Sequence, residues 1–246
     1  MTKLDKWPSL GITESTLDHT YVALAKDWSL WDDTLQAALQ RITEVLSVVL
    51  NVSRTSIWTL NEQKEGFVLL SLHDSSSGKN SSDVELLFSD YPDYFNALNH
   101  DRVIDASDAY ADARTRELSE SYLKPLGIGA TLDSTLIKAG MLFGVLCIEH
   151  VGGPRVWSKL EKQFAISITD LISQRMIYED SRRNENYYRE LSSLQQAIFD
   201  GANYGIISTE VDGTIRSFNN AASRMLGYSK EEIIGLHTPE IFHDPQ

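Results

Sequence analysis

Residues 128–150 read IGATLDSTLIKAGMLFGVLCIEH, and this stretch decides the fold class. Two runs rich in β-branched and apolar residues flank a turn at Gly140, which is typical of two paired β-strands. Apolar residues occupy both faces of the second strand, with Leu142, Leu146 and Ile148 on one face and Phe143, Val145 and Cys147 on the other. A sheet with one face in water alternates apolar and polar residues. We therefore predict an α+β fold in which the sheet is covered on both sides.

Other segments extend this sheet. Arg54–Leu60 (RTSIWTL) and Phe67–Leu72 (FVLLSL) are separated by a polar turn that ends at Gly66, so they predict a hairpin. Arg102–Ala106 (RVIDA) predicts a further short strand. Together these segments indicate an antiparallel sheet of five or six strands.

Helical periodicity marks the cover of the sheet. Apolar residues recur every three or four positions from Leu35 to Leu50, which predicts an amphipathic helix. A short helix is expected around Pro92–Leu98, and a longer one from Arg114 to Leu126, before Gly127. The serine-rich stretch His73–Asp83 predicts an exposed, mobile loop.

A long helix is predicted from Ser158 to Asp200, because neither proline nor glycine interrupts this run. Its middle, Glu179–Asn186, has no apolar stripe, and spacings of three and four then resume at Leu191, Leu194 and Ile198. A continuous helix would reach about 60 Å, too long for one small core. We expect it to pair with its copy in a homodimer. The alternative is two helices with a bend near Asn184.

The last fifty or so residues carry strong local signals. Asp212-Gly213 predicts a hairpin turn, Asn219 and Asn220 can cap a helix that ends at Gly227, and Ser229 to Glu232 forms a capping box. These elements make up about half of a domain, so we expect the chain to be a fragment of a larger protein.

The order of elements from about 31 to 178 resembles a GAF domain. The resemblance rests on SRTSIWTL, on YPDYFNAL followed by RVIDASDAYADARTREL, and on PLGIGATLDSTLIKAGMLFGVLCIEHVGGPRVWS. From about Leu191 onward, DGTIRSFNNAASRMLGYSKEEIIG is similar to the first half of a PAS domain. We therefore expect a tail at 1–16, a GAF-like sensor at 17–178, a connecting signalling helix at 179–200 and a truncated PAS-like α/β module at 201–246.

This resemblance implies sensing rather than catalysis. In such proteins, GAF and PAS modules lie upstream of an output domain, commonly a diguanylate cyclase, a cyclic-di-GMP phosphodiesterase or a histidine kinase. The expected role is therefore the sensory region of a bacterial signalling protein, which binds a small ligand or a partner and relays the signal through a dimeric helix. A GAF module that only dimerises, without a ligand, is the alternative.

A candidate ligand pocket lies between the sheet and the covering helices. The residues expected there are Tyr91, Tyr94, Phe95, Ile104, Asp105, Arg114, Leu132, Cys147 and Glu149. The aromatic and aliphatic members would form an apolar wall, and the charged members would mark its mouth, where Arg114 is available to a carboxylate or a phosphate. Each type also has a structural explanation: aromatic residues near a sheet belong more often to the core, and the charged residues after the strand can cap a loop or form a local ion pair.

Cofactor chemistry has little support in the sequence. Cys147 is the one cysteine, and it lies in a strand that is predicted to be buried, so we expect a core residue rather than a bilin or metal ligand. The histidines show no metal-ligand spacing, and no nucleophile–base pair is evident. We find no evidence for a bilin, a haem or a metal, and we predict no catalytic residue and no metal site.

Charge and composition restrict the partners. The formal net charge is −13, and an acidic chain repels a phosphate backbone, so nucleic-acid binding is not expected. No run reaches the length of a membrane span, and no signal peptide is evident at the start. With a single cysteine, the chain fits a reducing cytoplasm.

Overall fold

Six strands form the sheet in the computed structural model, which describes residues 12–75 and 84–243. They are β1 (Arg54–Leu60), β2 (Gly66–Asp74), β3 (Glu85–Leu87), β4 (Val103–Ala106), β5 (Ile128–Lys138) and β6 (Met141–Val151). All neighbouring pairs are antiparallel, in the order β3-β2-β1-β6-β5-β4. The predicted α+β class and the sheet of five or six antiparallel strands are confirmed. Strand β3 was not predicted.

One face of the sheet is covered by helices α1 (Glu14–Ala25), α2 (Ser29–Asp32) and α3 (Leu35–Leu50). Helix α3 buries its predicted stripe against the sheet, together with Leu132, Leu146 and Ile148 of the central strands. Helix α1 begins at Glu14, inside the stretch that we expected to be a tail.

The other face is covered by α4 (Pro92–His100) and by a broken helical segment. This segment consists of a 3₁₀ turn (Arg116–Leu118), a π turn (Ser119–Leu123) and the short helix α5 (Lys124–Leu126). The prediction of one regular helix here was wrong. A π turn closes over five residues, so it brings Leu118 and Leu123 onto the same buried side.

A bulge in β6 changes which face two of its residues occupy. Leu136 pairs with Gly144 and Ile137 with Leu142, so Phe143 is the extra residue. Leu142 therefore packs on the side of Cys147, and Phe143 packs on the side of α3. Simple alternation had placed each on the opposite face, and this prediction was wrong.

Helix α6 (Lys159–Gly201) is continuous over 43 residues, about 65 Å at the usual rise. The predicted long helix is confirmed, and the alternative with a bend near Asn184 is wrong. Its first part packs on the α3 side of the sheet through Phe164, Ile168 and Ile172. The division between the two compact units of the chain falls within this helix, between Glu179 and Asp180.

Arg175 ties α6 to the end of α2. Its side chain is 1 % exposed, and it donates to the carbonyl oxygens of Leu30 (2.6 Å) and Asp33 (3.0 Å) and to the Glu179 carboxylate (2.9 Å). The last carbonyls of a helix have no partner within it, so a buried guanidinium is well suited to satisfy them.

The second unit contains the hairpin of β7 (Ile207–Thr209) and β8 (Ile215–Phe218), and helices α7 (Asn220–Leu226) and α8 (Lys230–Ile233). The local predictions are confirmed: Asn219 caps α7, Gly227 ends it in the left-handed region, and Ser229 and Glu232 form a capping box.

Three predicted features lie partly outside the described residues, and the first is the expected tail, of which positions 1–11 are not described. Strand β2 extends through Asp74, and positions 76–83 of the expected loop are outside the described range, as are 244–246. Across the part of the chain that the structure does describe, no helix is both long and apolar enough to cross a membrane.

Candidate functional site

Two rows of side chains on the α4 face of the sheet form the site. In the first row, Thr131, Glu149, Arg54 and Asp74 stand directly opposite one another across β5, β6, β1 and β2. In the second row, Asp133 of β5 faces Cys147 of β6, which faces Ser56 of β1. All of these residues are buried. Polar and charged groups are therefore concentrated on a face whose surroundings are apolar.

Among the described residues, the hydrogen-bond donors to Asp133 are uncharged. The Tyr94 hydroxyl, which comes from α4, donates to Oδ2 at 3.0 Å, and the Thr131 hydroxyl donates to Oδ1. Burial raises the pKa of Asp133 to about 7, and the nearby Glu149 adds to this, while the hydroxyl donors oppose it. The group is therefore a carboxyl that titrates near neutral pH.

Glu149 is held by a cation and a second tyrosine. Arg54 Nε donates to Glu149 Oε2 at 3.0 Å, and the Tyr122 hydroxyl, which comes from the π turn, donates to Oε1 at 2.8 Å. Arg54 also forms an ion pair with Asp74. Burial raises the pKa of Glu149, although the attraction of Arg54 opposes the rise. Asp133 and Glu149 are thus each covered by one tyrosine hydroxyl from the layer above.

The space between these groups is small, about 20 Å³. It is lined by Trp58, Leu86, Tyr94, Leu118, Tyr122, Leu123, Thr131, Asp133, Cys147 and Glu149. This volume is sufficient for about one water molecule. The Tyr94 and Tyr122 side chains, which line this space, therefore leave little room in it.

Six of the nine predicted pocket residues lie on this face. Tyr94, Cys147 and Glu149 line the cavity itself. Phe95 and Ile104 belong to the apolar cluster around it, and Tyr91 packs at its edge, where its hydroxyl donates to Ser121 Oγ at 2.9 Å.

Three predicted residues lie elsewhere. Leu132 points to the α3 side of the sheet, because it alternates with Thr131 and Asp133 along β5. Asp105 pairs directly with Leu132, and its carboxylate meets Lys162 of α6 at 2.9 Å. Arg114 binds Asp112 at 2.7 Å and Asp105 at 3.2 Å. The expectation that these three residues share a pocket with Tyr94 is wrong.

Asp105 and Arg114 are partners in ion pairs within the protein. Hydrogen bonds from Arg114 lower the pKa of Asp112, and donors from Lys162 and Arg114 lower that of Asp105 against the opposing effect of burial. Arg114 is already paired with carboxylates, so it is not free to bind an anionic ligand.

Six polar members of the site were not predicted from the sequence: Arg54, Ser56, Asp74, Tyr122, Thr131 and Asp133. The last two carried a detectable signal, since the run TLDST places polar residues at every second position of a strand that was predicted to be buried on both faces. An aspartate at such a position has to be hydrogen-bonded inside the protein. No comparable local signal marks Tyr122, because its position depends on the π turn.

The other predictions concern the reactivity of Cys147, metal binding and the apolar residues of α6. Burial, followed by the nearby carboxylates, raises the pKa of the Cys147 thiol, which keeps it protonated and unreactive. Within the described ranges, no group of three or more His, Cys, Asp and Glu side chains is arranged to hold a metal ion. On α6, Leu191, Leu194 and Ile198 are 38 %, 57 % and 66 % exposed.

The fold is similar to solved GAF domain structures. A GAF domain from an Acinetobacter phosphoenolpyruvate-protein phosphotransferase is 16 % identical, with a TM-score of 0.52 over 69 % of this chain and 96 % of that chain. The corresponding domain from Coxiella burnetii is 14 % identical, with a TM-score of 0.55 over 70 % and 99 %.

A free methionine-R-sulfoxide reductase from Neisseria meningitidis, solved in complex with its substrate, is 13 % identical. Its TM-score is 0.53, and the match covers 70 % of this chain and 93 % of that chain. At these identities the likeness concerns the fold alone. No curated protein matches the sequence.

Sequence families give the same assignment. The GAF domain family matches residues 34–176, which is more than half of the chain, and a PAS domain family matches residues 193–246. GAF and PAS domains are sensory and regulatory modules rather than catalytic ones. Taken with the six-stranded sheet, these matches show that the chain belongs to the GAF domain family and carries a PAS domain after it.

Proposed function

We propose that this chain is the sensory and regulatory region of a bacterial, cytoplasmic signalling protein, and that a small ligand or a partner acts at the pocket beneath Tyr94 and Tyr122. Residues 17–178 would sense, 179–200 would connect and 201–246 would belong to the PAS module. The helix would pair in a homodimer and relay the signal to an output domain, which the family resemblance suggests is a cyclic-di-GMP enzyme or a histidine kinase.

The observation that carries the proposal is a direct link from the pocket to α6 through one strand. Asp133 faces the pocket, and the next residue, Ser134, faces the opposite side of β5. The Ser134 hydroxyl lies 3.1 Å from that of Thr169 in α6. Because neighbouring residues of a strand move together, a shift of β5 at Asp133 displaces this contact.

Other bonds attach the same strands to α6. Arg102, just before β4, donates to Thr169 Oγ1 at 3.3 Å and also pairs with Asp170. Asp105 of β4 meets Lys162 at 2.9 Å. Strands β4 and β5 therefore contact α6 over two turns through polar groups with defined partners. Hydrogen bonds and ion pairs between defined partners can break and re-form in a second arrangement. They therefore support a two-state change better than contact between apolar surfaces does.

The exposed stripe of α6 supports pairing between two copies. Tyr187, Leu191, Leu194 and Ile198 follow one another at spacings of four, three and four, which is the a/d pattern of a coiled coil. All four are exposed, and Tyr187 and Ile198 exceed 60 %. A partner helix would remove this apolar surface from water.

Disulfide trapping tests the proposed relay. The native cysteine is buried, so a Leu194→Cys substitution supplies the one readily reactive thiol. We expect rapid cross-linking of two chains under mild oxidation, because residues at a d position face their copies in a parallel pair. Ser193→Cys, one position away on an exposed part of the helix, is the matched control and should cross-link slowly.

The pocket is then changed in the Leu194→Cys background. Replacing Tyr94 and Tyr122 by Phe removes both covering hydroxyls, and we expect the cross-linking rate to change severalfold. Adding Ser134→Ala should abolish that response, since it removes the bond to α6. If Leu194→Cys and Ser193→Cys cross-link equally slowly, the dimeric relay is wrong.

The second candidate is a GAF module that dimerises without a ligand. The small cavity of about 20 Å³ favours it, because a pocket filled by its own side chains needs no ligand for stability. In the same assay, this function predicts fast cross-linking at position 194 that does not respond to the tyrosine substitutions.

A further inference from the structure

The charges in the pocket do not balance. Arg54 contacts two carboxylates, Glu149 and Asp74. Asp133 is a third carboxyl on the same face, and its partners are the hydroxyls of Tyr94 and Thr131. Within residues 12–75 and 84–243, no lysine, arginine or histidine forms an ion pair with Asp133. When Asp133 is ionised, no cation among these described residues therefore offsets its charge.

This imbalance selects among ligand classes. A buried carboxylate without a cation is costly, and a second anion nearby increases that cost. A ligand that brings a positive charge offsets it. Phosphates and carboxylates are disfavoured here for the same reason, because the one guanidinium of the site is already shared by two acidic side chains.

The tyrosine hydroxyls occupy the positions that a ligand's donors would take. Tyr94 and Tyr122 come from α4 and the π turn, whereas Asp133 and Glu149 come from the sheet. The two acceptors are diagonal neighbours on β5 and β6, which places their Cα atoms about 7–8 Å apart. One small molecule can reach both acceptors.

We propose that the pocket accepts a small organic cation, whose ammonium or amidinium group replaces the Tyr94 hydroxyl at Asp133. This inference rests on the proposed ligand role of the pocket and names the class of ligand. Binding requires α4 and the π turn to move outward, because the space between them and the sheet is only about 20 Å³. Arg54 remains paired with Glu149 and Asp74, so Asp133 is the carboxyl that receives the ligand's positive charge.

Three probes of similar size and different charge test this inference: n-butylammonium, 1-butanol and butyrate. Each is titrated into the 246-residue chain at pH 8, where Asp133 is mostly ionised because its pKa is about 7. Tryptophan fluorescence reports thermal unfolding, since all five tryptophans precede residue 180 and Trp58 lines the cavity. We expect a saturable rise of the melting temperature with n-butylammonium alone.

Two variants should change the affinity for n-butylammonium in opposite directions. Asp133→Asn keeps the shape and removes the charge, so n-butylammonium affinity should fall at least about tenfold, which corresponds to about 1.4 kcal/mol. Tyr94→Phe removes the competing hydroxyl, so affinity should rise severalfold. Equal binding of butyrate, unchanged binding in Asp133→Asn, or no saturable effect of n-butylammonium would each overturn the inference.

Failure of this inference differs from failure of the proposed function. If 1-butanol or butyrate binds saturably and n-butylammonium does not, the pocket still binds ligands and only the class is wrong. If cross-linking at position 194 does not respond to the tyrosine substitutions, the relay fails whichever probe binds.

Discussion

Replacing the buried carboxyl of Asp133 by an amide should change how the stability of the first unit depends on pH. Asp133 has a pKa of about 7 in the folded chain, compared with an ordinary value of 3.8. The folded state therefore binds this proton more tightly than the unfolded state. Asp133→Asn removes the titration and keeps the size and a polar side chain.

The sign follows from proton linkage. Between about pH 4 and pH 7, the folded state retains the proton and the unfolded state has lost it, so stability falls as pH rises through this window. Below it both states are protonated, and above it both are ionised. One pKa unit corresponds to about 1.4 kcal/mol, so the raised pKa of Asp133 lowers the free energy of unfolding by up to about 4 kcal/mol at pH 8.

Urea unfolding followed by tryptophan fluorescence measures the effect. All five tryptophans lie in the first unit, so the signal reports that unit alone. The difference in free energy between Asp133→Asn and the native sequence should be small at pH 4, increase up to about pH 7 and then stay constant. The variant should be the more stable protein at pH 8.

Asp105→Asn is the matched control, because Asp105 lies on the neighbouring strand and its pKa is lowered. Its stabilising effect is present above the unfolded pKa and is lost as pH falls, so this variant should be less stable near neutral pH and similar to the native sequence in acid. If the difference in free energy between Asp133→Asn and the native sequence does not change between pH 4 and pH 8, the pKa of Asp133 is not raised by burial and the reasoning is refuted.

Two further substitutions and one labelling experiment test the packing of the first unit. Arg175→Met removes the donor to the buried Leu30 carbonyl and to the Asp33 carbonyl and should cost about 2–4 kcal/mol in urea unfolding, whereas Gln174→Met, at an exposed position, should change little. Gly129→Ala places a Cβ 2.1 Å from a backbone oxygen and should destabilise by about 1–3 kcal/mol, while Gly153→Ala meets nothing within 4 Å and should not; equal melting temperatures would contradict this. Cys147 should resist a thiol reagent at pH 8 until the unit unfolds, and fast labelling of the native protein would show that the strand is open.

Much of the fold was predictable because its signals are local. The stripe of α3, the caps at Asn219 and Ser229 and the unbroken run of α6 depend on residues within one or two turns of each other. Periodicity and capping act at that range, so a single sequence contains the information. The two-sided apolar character of 128–150 was sufficient to predict a sheet covered on both faces.

The bulge and the π turn were not predictable in this way. Phe143 becomes the extra residue of β6 because Gly144 approaches the backbone of β1, where a Cβ would lie 2.3 Å from the Trp58 carbonyl oxygen. The π turn is selected by the need to bury Leu118 and Leu123 together. Both choices depend on neighbours that are distant in sequence, so simple alternation assigned Leu142 to the wrong face.

The sequence by itself determined the layered α+β architecture, the long helix and the presence of acidic and aromatic residues around a sheet. Only the tertiary structure determined which of these acidic and aromatic residues contact one another. Strand register puts Asp133 and Glu149 on the face away from Leu132 and Asp105, and the covering segments bring Tyr94 and Tyr122 onto them. The reason is physical: a side chain's face depends on register, and register is fixed by packing between strands far apart in the chain.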